Sequence, residues 1–340
     1  MAKTNELGLT KTDYKGAPTT LCQGCGHNSI LSQIISACFE LDMLPEDIVK
    51  FSGIGCSSKA PTYMLKRSFG FNSLHGRMPA VATGALLGDA TLIGLGMSGD
   101  GDSASIGMGQ FKHIIRRNVR MVYIIANNGV YGLTKGQLSA TSEVGLTLKK
   151  QGTNELEPID ICLEAMASNA TFVARAFSGD PKQVKTLIKA ALHHNGTAIL
   201  DIISPCVSFN NADESMHSYT WGRDHKAPLQ DISFIPARDE IMIEDFEEGT
   251  VQDITMHDGS KVRLKKLEQA YDPTDRMSAV QVIEESRANK QLLTGLIYVD
   301  PNRPSLTDML KLTNTPLNRL SAKYMRPAKE TLEEINAEMF

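Results

Sequence analysis

The sequence predicts an α/β fold, a doubly wound and mostly parallel sheet, followed by an irregular α+β extension. Three observations carry that prediction. Between residues 28 and 203, short apolar runs alternate with helical stretches of about ten residues or more, the pattern of β–α–β units. Two of those runs end in small, flexible or oxygen-bearing residues: Gly99-Asp100-Gly101-Asp102 after 91–97, and Asn127-Asn128-Gly129 after 121–126. Ligands of open α/β sheets bind at such strand ends. Beyond Ser208 the alternation stops, which marks the extension.

Taken in order, residues 1–20 are polar and expected to be mobile. A helix over 28–41, with Pro45 after it, leads to a strand at 48–52; a helical stretch at 60–68 leads to a strand at 71–74. Residues 79–88 read as a small-residue helix able to pack closely on the sheet, and strand 91–97, helix 103–117 and strand 121–126 follow. The loop 129–157 is long, rich in Gly, Thr, Ser and Lys, and weakly periodic, and loops of that length are usually functional or disordered. Helix 159–168, strand 171–176, helix 181–193 and strand 198–203 complete the array. Right-handed crossovers put the strand ends, and both closing motifs, along one edge. Residues 221–253 are polar and irregular, and 255–264 suggest a hairpin around His257-Asp258-Gly259-Ser260. Helix 279–289, strand 295–299 and a proline-interrupted end follow, the last expected to pack on a partner. The domain reading is a mobile 1–20, a binding domain over 21–210 and an arm or extension over 211–340.

The 340 residues are 41% hydrophobic and 22% charged, ordinary for a globular protein, with a formal net charge of −4. No Lys/Arg-dense stripe argues for nucleic acid, and no apolar run is long enough to span a membrane. The N-terminus has no apolar signal core, so a cytoplasmic protein is expected. Six cysteines in such a chain argue against a disulfide framework. Cys38 and Cys162 lie in amphipathic helical stretches and read as core residues. Cys22, Cys25, Cys56 and Cys206 sit in loops beside Gly or Pro.

Glycines let backbone approach a diphosphate, while Asp and Asn provide hard oxygen ligands suited to Mg²⁺. The N-terminus of helix 103–117, facing the same crevice, favours negative charge. These features describe a metal–diphosphate pocket. The four loop cysteines come from one turn, Cys22-Gln23-Gly24-Cys25, and from two strand-end loops, Gly53-Ile54-Gly55-Cys56 and Ser204-Pro205-Cys206. Four converging thiolates suit either a tetrahedral Zn²⁺ or a [4Fe–4S] cluster, and the spacing leaves that choice open. His27, two residues after Cys25, is placed to orient the cysteine loop.

Gly-Asp-Gly followed by Asn-Asn at the end of the next strand resembles the thiamine diphosphate signature. Cys-x-Gly-Cys-Gly-His, Gly-Ile-Gly-Cys-Ser-Ser-Lys, His-Gly-Arg, Gly-Asp-Gly-Asp and Asn-Asn-Gly-Val-Tyr-Gly-Leu-Thr-Lys-Gly-Gln occur in one order. That series resembles the β subunit of the 2-oxoacid:ferredoxin oxidoreductases, and is most similar to the bacterial 2-oxoglutarate type. The likeness covers 21–210 strongly and the last third more loosely. It implies the thiamine diphosphate-binding fold, with a [4Fe–4S] cluster on Cys22, Cys25, Cys56 and Cys206. It also implies Mg²⁺ on Asp100, Asn128 and the carbonyl of Val130. Cofactor contacts are implied for Ile54, Gly55, Cys56, Ser57, His75, Gly99, Asp100, Gly101, Asp102, Asn128, Val130, Tyr131, Gly132, Leu133 and Thr134. Lys59 would hold a distal carboxylate of the substrate, Leu133 would form an apolar part of its pocket, and His75 would lie near the reacting carbon. Lys135 and Gln137 would anchor the loop over the diphosphate.

The activity the resemblance implies is CoA-acylating oxidative decarboxylation of 2-oxoglutarate to succinyl-CoA and CO₂, with electrons passed to ferredoxin. No second αβ domain to grip the aminopyrimidine is visible, and the family carries it on an α subunit. An obligate α partner in an α₂β₂ assembly is therefore expected. Two other readings stand beside this one. The same chemistry could act on pyruvate or another 2-oxoacid, or the chain could be a zinc-stabilised binding subunit without turnover. Intact Mg²⁺ ligands argue against the last.

Overall fold

The computed structural model describes residues 3–236, 251–266 and 271–339. Among these, eight strands form the central sheet: β1 (Ile48–Ser52), β2 (Phe69–Asn72), β3 (Ile93–Gly99), β4 (Met121–Asn127), β5 (Phe172–Phe177), β6 (Thr197–Ile203), β7 (Lys226–Pro228) and β8 (Leu292–Val299). Their spatial order is β7-β8-β5-β6-β4-β3-β1-β2, and every pairing is parallel except that of β8 with β5. The chain reaches β2 on one side of β1 and β3 on the other, so strand order reverses between β1 and β3. A crevice opens at the C-terminal ends of strands at such a reversal.

Helices α1 (Gly26–Glu40), α2 (Met78–Gly88), α3 (Met108–Arg117), α4 (Ile161–Ala167), α5 (Pro181–Leu192) and α6 (Arg276–Ala288) cover the two faces. Strand β4 is buried throughout, and its side chains divide by the two-residue period of a strand. Val122, Ile124 and Ala126 share a core with Ile30 and Ile34 of α1 and Leu187 of α5. Met121, Tyr123 and Ile125 share the opposite core with Phe111 of α3, Ile161 of α4 and Ile283 of α6. Each fully buried aliphatic side chain contributes about 1.5–3 kcal/mol relative to exposure. Helix α2 does lie close to the sheet, but the room comes from the strand. A Cβ on Gly94 would stand 2.7 Å from Leu86 Cδ1, and one on Gly96 would stand 3.0 Å from Met78 Sδ.

Four expectations change. The helix expected over 60–68 is confined to Ala60–Tyr63, because buried Lys50 draws three carbonyls out of the helical ladder. Its Nζ donates to the carbonyls of Pro61, Met64 and Leu65 at 2.8, 2.9 and 2.7 Å. The helix expected over 103–117 is split into a π-helical turn, Gly101–Ile106, and α3, with Gly107 between them. Such turns recur at functional sites. The segment 1–20 is tied down over residues 3–20, its first two residues lying outside the described residues. Tyr14 is fully buried, its hydroxyl donating to the Met43 carbonyl at 2.8 Å and accepting from Asn5 Nδ2 at 2.9 Å.

The fourth change concerns the extension over 211–340, which shares the sheet with the domain over 21–210. Strands β7 and β8 continue that sheet past β5, and α6 packs on it. The hairpin around Asp258-Gly259 forms between Val251–Thr255 and Lys261–Lys266, with Gly259 at φ 82°, and Gln230–Ile235 pairs beside it. Of the irregular stretch 221–253, residues 237–250 lie outside the described residues. No helix among the described residues is long and apolar enough to cross a membrane.

Candidate cofactor site

Loops after β1, β2, β3 and β4 meet at the strand reversal and line a cleft. Every residue named above as an implied cofactor contact lines it, and His27 joins them. Among the described residues no Lys or Arg does so, whereas two acids, Asp100 and Asp102, do. An anionic ligand such as a diphosphate would need a cation between itself and these carboxylates.

Asp100 follows β3 directly and is 1% exposed. Its Oδ1 accepts from the Asn128 backbone N–H at 3.2 Å, and its Oδ2 accepts from the Thr141 hydroxyl at 2.7 Å and from the Ser139 hydroxyl. Burial pushes its carboxyl pKa up, and these hydrogen bonds oppose the shift. Asn128 Oδ1 accepts from the Val130 N–H at 3.1 Å, closing a tight turn beside Asp100. The neighbouring Asn127 faces elsewhere: its Nδ2 donates to Asp201 on β6 at 3.1 Å. Only one member of the Asn pair therefore faces the cleft. Asp100, Asn128 and Val130 all line the cleft, and their oxygens are of the hard type that Mg²⁺ takes.

Asp102 has a different role from Asp100. Its Oδ1 accepts from His75 Nδ1 at 2.7 Å and from the Gly76 N–H at 3.0 Å, and its Oδ2 accepts from Ser98 Oγ at 2.8 Å. Through these three bonds it braces His75. The ring nitrogen His75 leaves for the cleft is Nε2. Tyr131 closes the opposite wall, its hydroxyl donating to the Gly101 carbonyl at 3.0 Å.

The four loop cysteines approach one lip of this cleft. A Cβ on Gly132, a lining residue, would stand 3.3 Å from Cys206 Sγ and 3.5 Å from Cys56 Sγ. Cys22 Sγ lies 3.7 Å from Ser208 Oγ, two residues past Cys206, and the Cys25 N–H donates to the Cys22 carbonyl at 3.1 Å. Burial pushes the Cys25 thiol up to about 11, and the other three cysteines add to the shift. Burial and neighbouring cysteines likewise raise Cys56 and Cys206. His27 joins this group to the cleft, with Nδ1 3.7 Å from Cys25 Sγ and Nε2 3.0 Å from Ser57 Oγ. Burial lowers its pKa to about 4, so it is neutral at pH 7. Among the described residues, no three His, Cys, Asp or Glu side chains close tightly enough to hold a single metal ion.

Other expectations meet a mixed outcome. Leu133 lines the cleft and is half exposed. Lys59 shares a short 3₁₀ turn with Cys56 but does not line the cleft, and its amine donates to Thr20 Oγ1 at 3.2 Å. Gln137 folds back on its own turn, with Nε2 donating to the Thr134 carbonyl at 2.8 Å. Ser139 and Thr141 went unnoticed in the sequence, since a Ser/Thr-rich loop without periodicity carries no signal that two of its hydroxyls reach a carboxylate some forty residues earlier.

Residues 53–202 match the family model described as thiamine pyrophosphate enzyme, C-terminal TPP binding domain, and residues 260–315 match the model for the C-terminal part of the pyruvate ferredoxin oxidoreductase β chain. Fold and site together define a thiamine diphosphate-binding domain. The 2-oxoglutarate oxidoreductase subunit KorB of Mycobacterium tuberculosis is 40% identical over 225 residues, 61% of this chain and 60% of its own length. The 2-oxoglutarate synthase subunit KorB of Methanocaldococcus jannaschii is 36% identical over 193 residues, 56% of this chain and 71% of its own. A solved structure, 2-oxoglutarate:ferredoxin oxidoreductase from Magnetococcus marinus with 2-oxoglutarate, coenzyme A and succinyl-CoA bound, aligns over 89% of each chain. Its TM-score is 0.72 and its sequence identity 32%. The chain belongs to the β subunits of the 2-oxoacid:ferredoxin oxidoreductases. It spans 60% of the Mycobacterium tuberculosis relative and 63% of the 2-oxoacid:ferredoxin oxidoreductase subunit beta of Saccharolobus solfataricus, which is 42% identical over 194 residues and 56% of this chain.

Proposed function

We propose that this chain is the thiamine diphosphate-binding β subunit of a cytoplasmic, CoA-acylating 2-oxoglutarate:ferredoxin oxidoreductase. With an α subunit, in an α₂β₂ assembly, it would convert 2-oxoglutarate and CoA to succinyl-CoA and CO₂, passing two electrons to ferredoxin. The observation that carries the reading is Gly132, which lines the cleft and where an added Cβ would meet two of the four thiols. Carbon chemistry and electron transfer thereby share one wall. Thiamine diphosphate supplies the electron sink for loss of CO₂, and an adjacent [4Fe–4S] cluster would relay single electrons.

Asp100, Asn128 and the Val130 carbonyl would hold Mg²⁺ against the diphosphate, answering the lack of any cationic side chain in the lining. Cys22, Cys25, Cys56 and Cys206 would hold the cluster. A single Zn²⁺ with Zn–S bonds of about 2.3 Å would draw four sulfurs to about 3.8 Å apart, whereas a cubane accommodates a wider quartet. The ferredoxin oxidoreductase names of the Saccharolobus solfataricus and Magnetococcus marinus relatives favour iron–sulfur over zinc. His75, oriented by Asp102, offers Nε2 to hold or accept a proton beside the reacting carbon. The names of the Mycobacterium tuberculosis, Methanocaldococcus jannaschii and Magnetococcus marinus relatives favour 2-oxoglutarate, with Lys59 moving from Thr20 to the distal carboxylate. The match over 260–315 keeps pyruvate as the second reading.

The test is anaerobic co-purification with the α subunit, followed by metal analysis and viologen reduction. Four irons and four sulfides per β chain, with reduction dependent on both 2-oxoglutarate and CoA, are expected. Zinc in place of iron, or full turnover by this chain alone, would overturn the reading, and faster turnover of pyruvate would select the second substrate.

A further inference from the structure

We propose that Thr141, together with Ser139, is a positioning residue for the metal-binding carboxylate of Asp100. The proposal rests on the reading of Asp100 as a Mg²⁺ ligand, and it concerns residues outside the motif series that identifies the family. Thr141 is 4% exposed. Its hydroxyl lies 2.7 Å from Asp100 Oδ2 and 3.0 Å from Asn127 Oδ1, and its one proton goes to the shorter, charged contact. Asn127 Oδ1 already has a donor in His217 Nε2 at 3.2 Å. The Ser139 hydroxyl reaches the same Asp100 oxygen.

Two hydroxyls on Oδ2 remove the freedom of the carboxylate to rotate, and leave Oδ1 on the side of Asn128. The same short segment grips the second half of the donor set. Ser142 Oγ donates to the Gly129 carbonyl at 2.5 Å and accepts from the Ser139 N–H at 2.8 Å. Asn154 Nδ2 then ties the loop to itself through the carbonyls of Ser142 and Leu156, each at 2.8 Å. Residues 139–142 thus act as a clasp that holds Asp100 and the Asn128-Gly129-Val130 turn in one arrangement. Groups that orient a metal ligand are worth about ten- to a hundredfold in metal affinity.

The test is equilibrium dialysis of labelled thiamine diphosphate against the full chain co-purified with its α subunit, across a Mg²⁺ titration. Thr141→Val, nearly isosteric, and Ser139→Ala should each raise the half-saturating Mg²⁺ concentration about tenfold or more. Thr141→Ser should stay near the parent, and saturating Mg²⁺ should restore parental stoichiometry in all three. Asp100→Asn should bind no cofactor at any Mg²⁺ concentration. Unshifted midpoints in Thr141→Val and Ser139→Ala, beside a dead Asp100→Asn, would overturn the clasp while leaving the metal site standing. A deficit that saturating Mg²⁺ does not restore would also overturn it, as disruption of the fold. Should Thr141→Val not fold, Ser139→Ala and Thr141→Ser decide the matter. Normal binding by Asp100→Asn would overturn the underlying reading and the clasp with it.

Discussion

Replacing Asp102 by Asn and by Ala separates its charge from its hydrogen bonds. The carboxylate is 2% exposed and accepts from three donors: His75 Nδ1, the Gly76 N–H and Ser98 Oγ. In Asp102→Asn, the amide oxygen can face His75 and Gly76 and keep both bonds. The amide nitrogen then faces Ser98, whose hydroxyl turns to accept. What is lost is charge assistance, the difference between bonds worth about 1.5–3 and about 0.5–1.5 kcal/mol, partly offset because no carboxylate need be buried. A net loss of about 1 kcal/mol is expected. Asp102→Ala instead leaves the buried Gly76 N–H without a partner, at about 1–3 kcal/mol, and Ser98 with only a 3.5 Å contact to the Gly99 carbonyl. The expected total is about 2–4 kcal/mol. Urea unfolding of both variants beside the parent measures the difference. Equal destabilisation by Asn and Ala would refute the three-bond account of Asp102.

Three further outcomes follow from buried groups. Burial holds His217 near pKa 4 and His194 near 3, so between pH 6.5 and about 4 only the unfolded chain protonates them. Their folded-state pKa values lie below the unfolded value, so stability should fall as pH drops below 6.5, by about 1.4 kcal/mol per unit for each histidine; a flat unfolding free energy from pH 7 to 5 would contradict this. Arg175 bonds Asp201 through Nε at 2.8 Å and Asp160 through Nη2 at 2.7 Å. Arg175→Met, which strands buried Asp201 and half-buried Asp160, should cost about 3–5 kcal/mol in the same urea assay, and a loss below about 1 kcal/mol would show the acids are not held as charges. In Gly101→Ala the new methyl would stand 2.5 Å from Tyr131 Cζ and displace the cleft wall, costing about 1–3 kcal/mol and weakening thiamine diphosphate binding. Unchanged affinity by dialysis would remove Tyr131 from that wall.

Much of the fold was legible because its signals are local. Strands 48–52 and 121–126 were located to within a residue, since continuous apolar runs closed by Gly, Asp or Asn have few other solutions. The cleft-lining loops were legible for the same reason: each sits at the end of such a run. The misses involve partners distant in sequence. Nothing near Pro61 announces that Lys50 will take its carbonyl, and nothing at Asp102 announces that it, and not Asp100, will bond His75. Strand β8 was recognised as a strand, but its antiparallel place beside β5 was not, because pairing depends on what the intervening segments allow.

From its sequence alone, this chain's class of sheet and the strand ends that line its cleft could be read, because those follow from periodicity and residue type. The tertiary structure alone decided which partner each polar side chain finds. It ties Asp102 to His75 and Asp100 to the Thr141 hydroxyl, and it turns Asn128 to the cleft and Asn127 to Asp201. The reason is physical: a buried polar atom must find a partner wherever the fold supplies one, and contacts between distant segments are absent from local sequence.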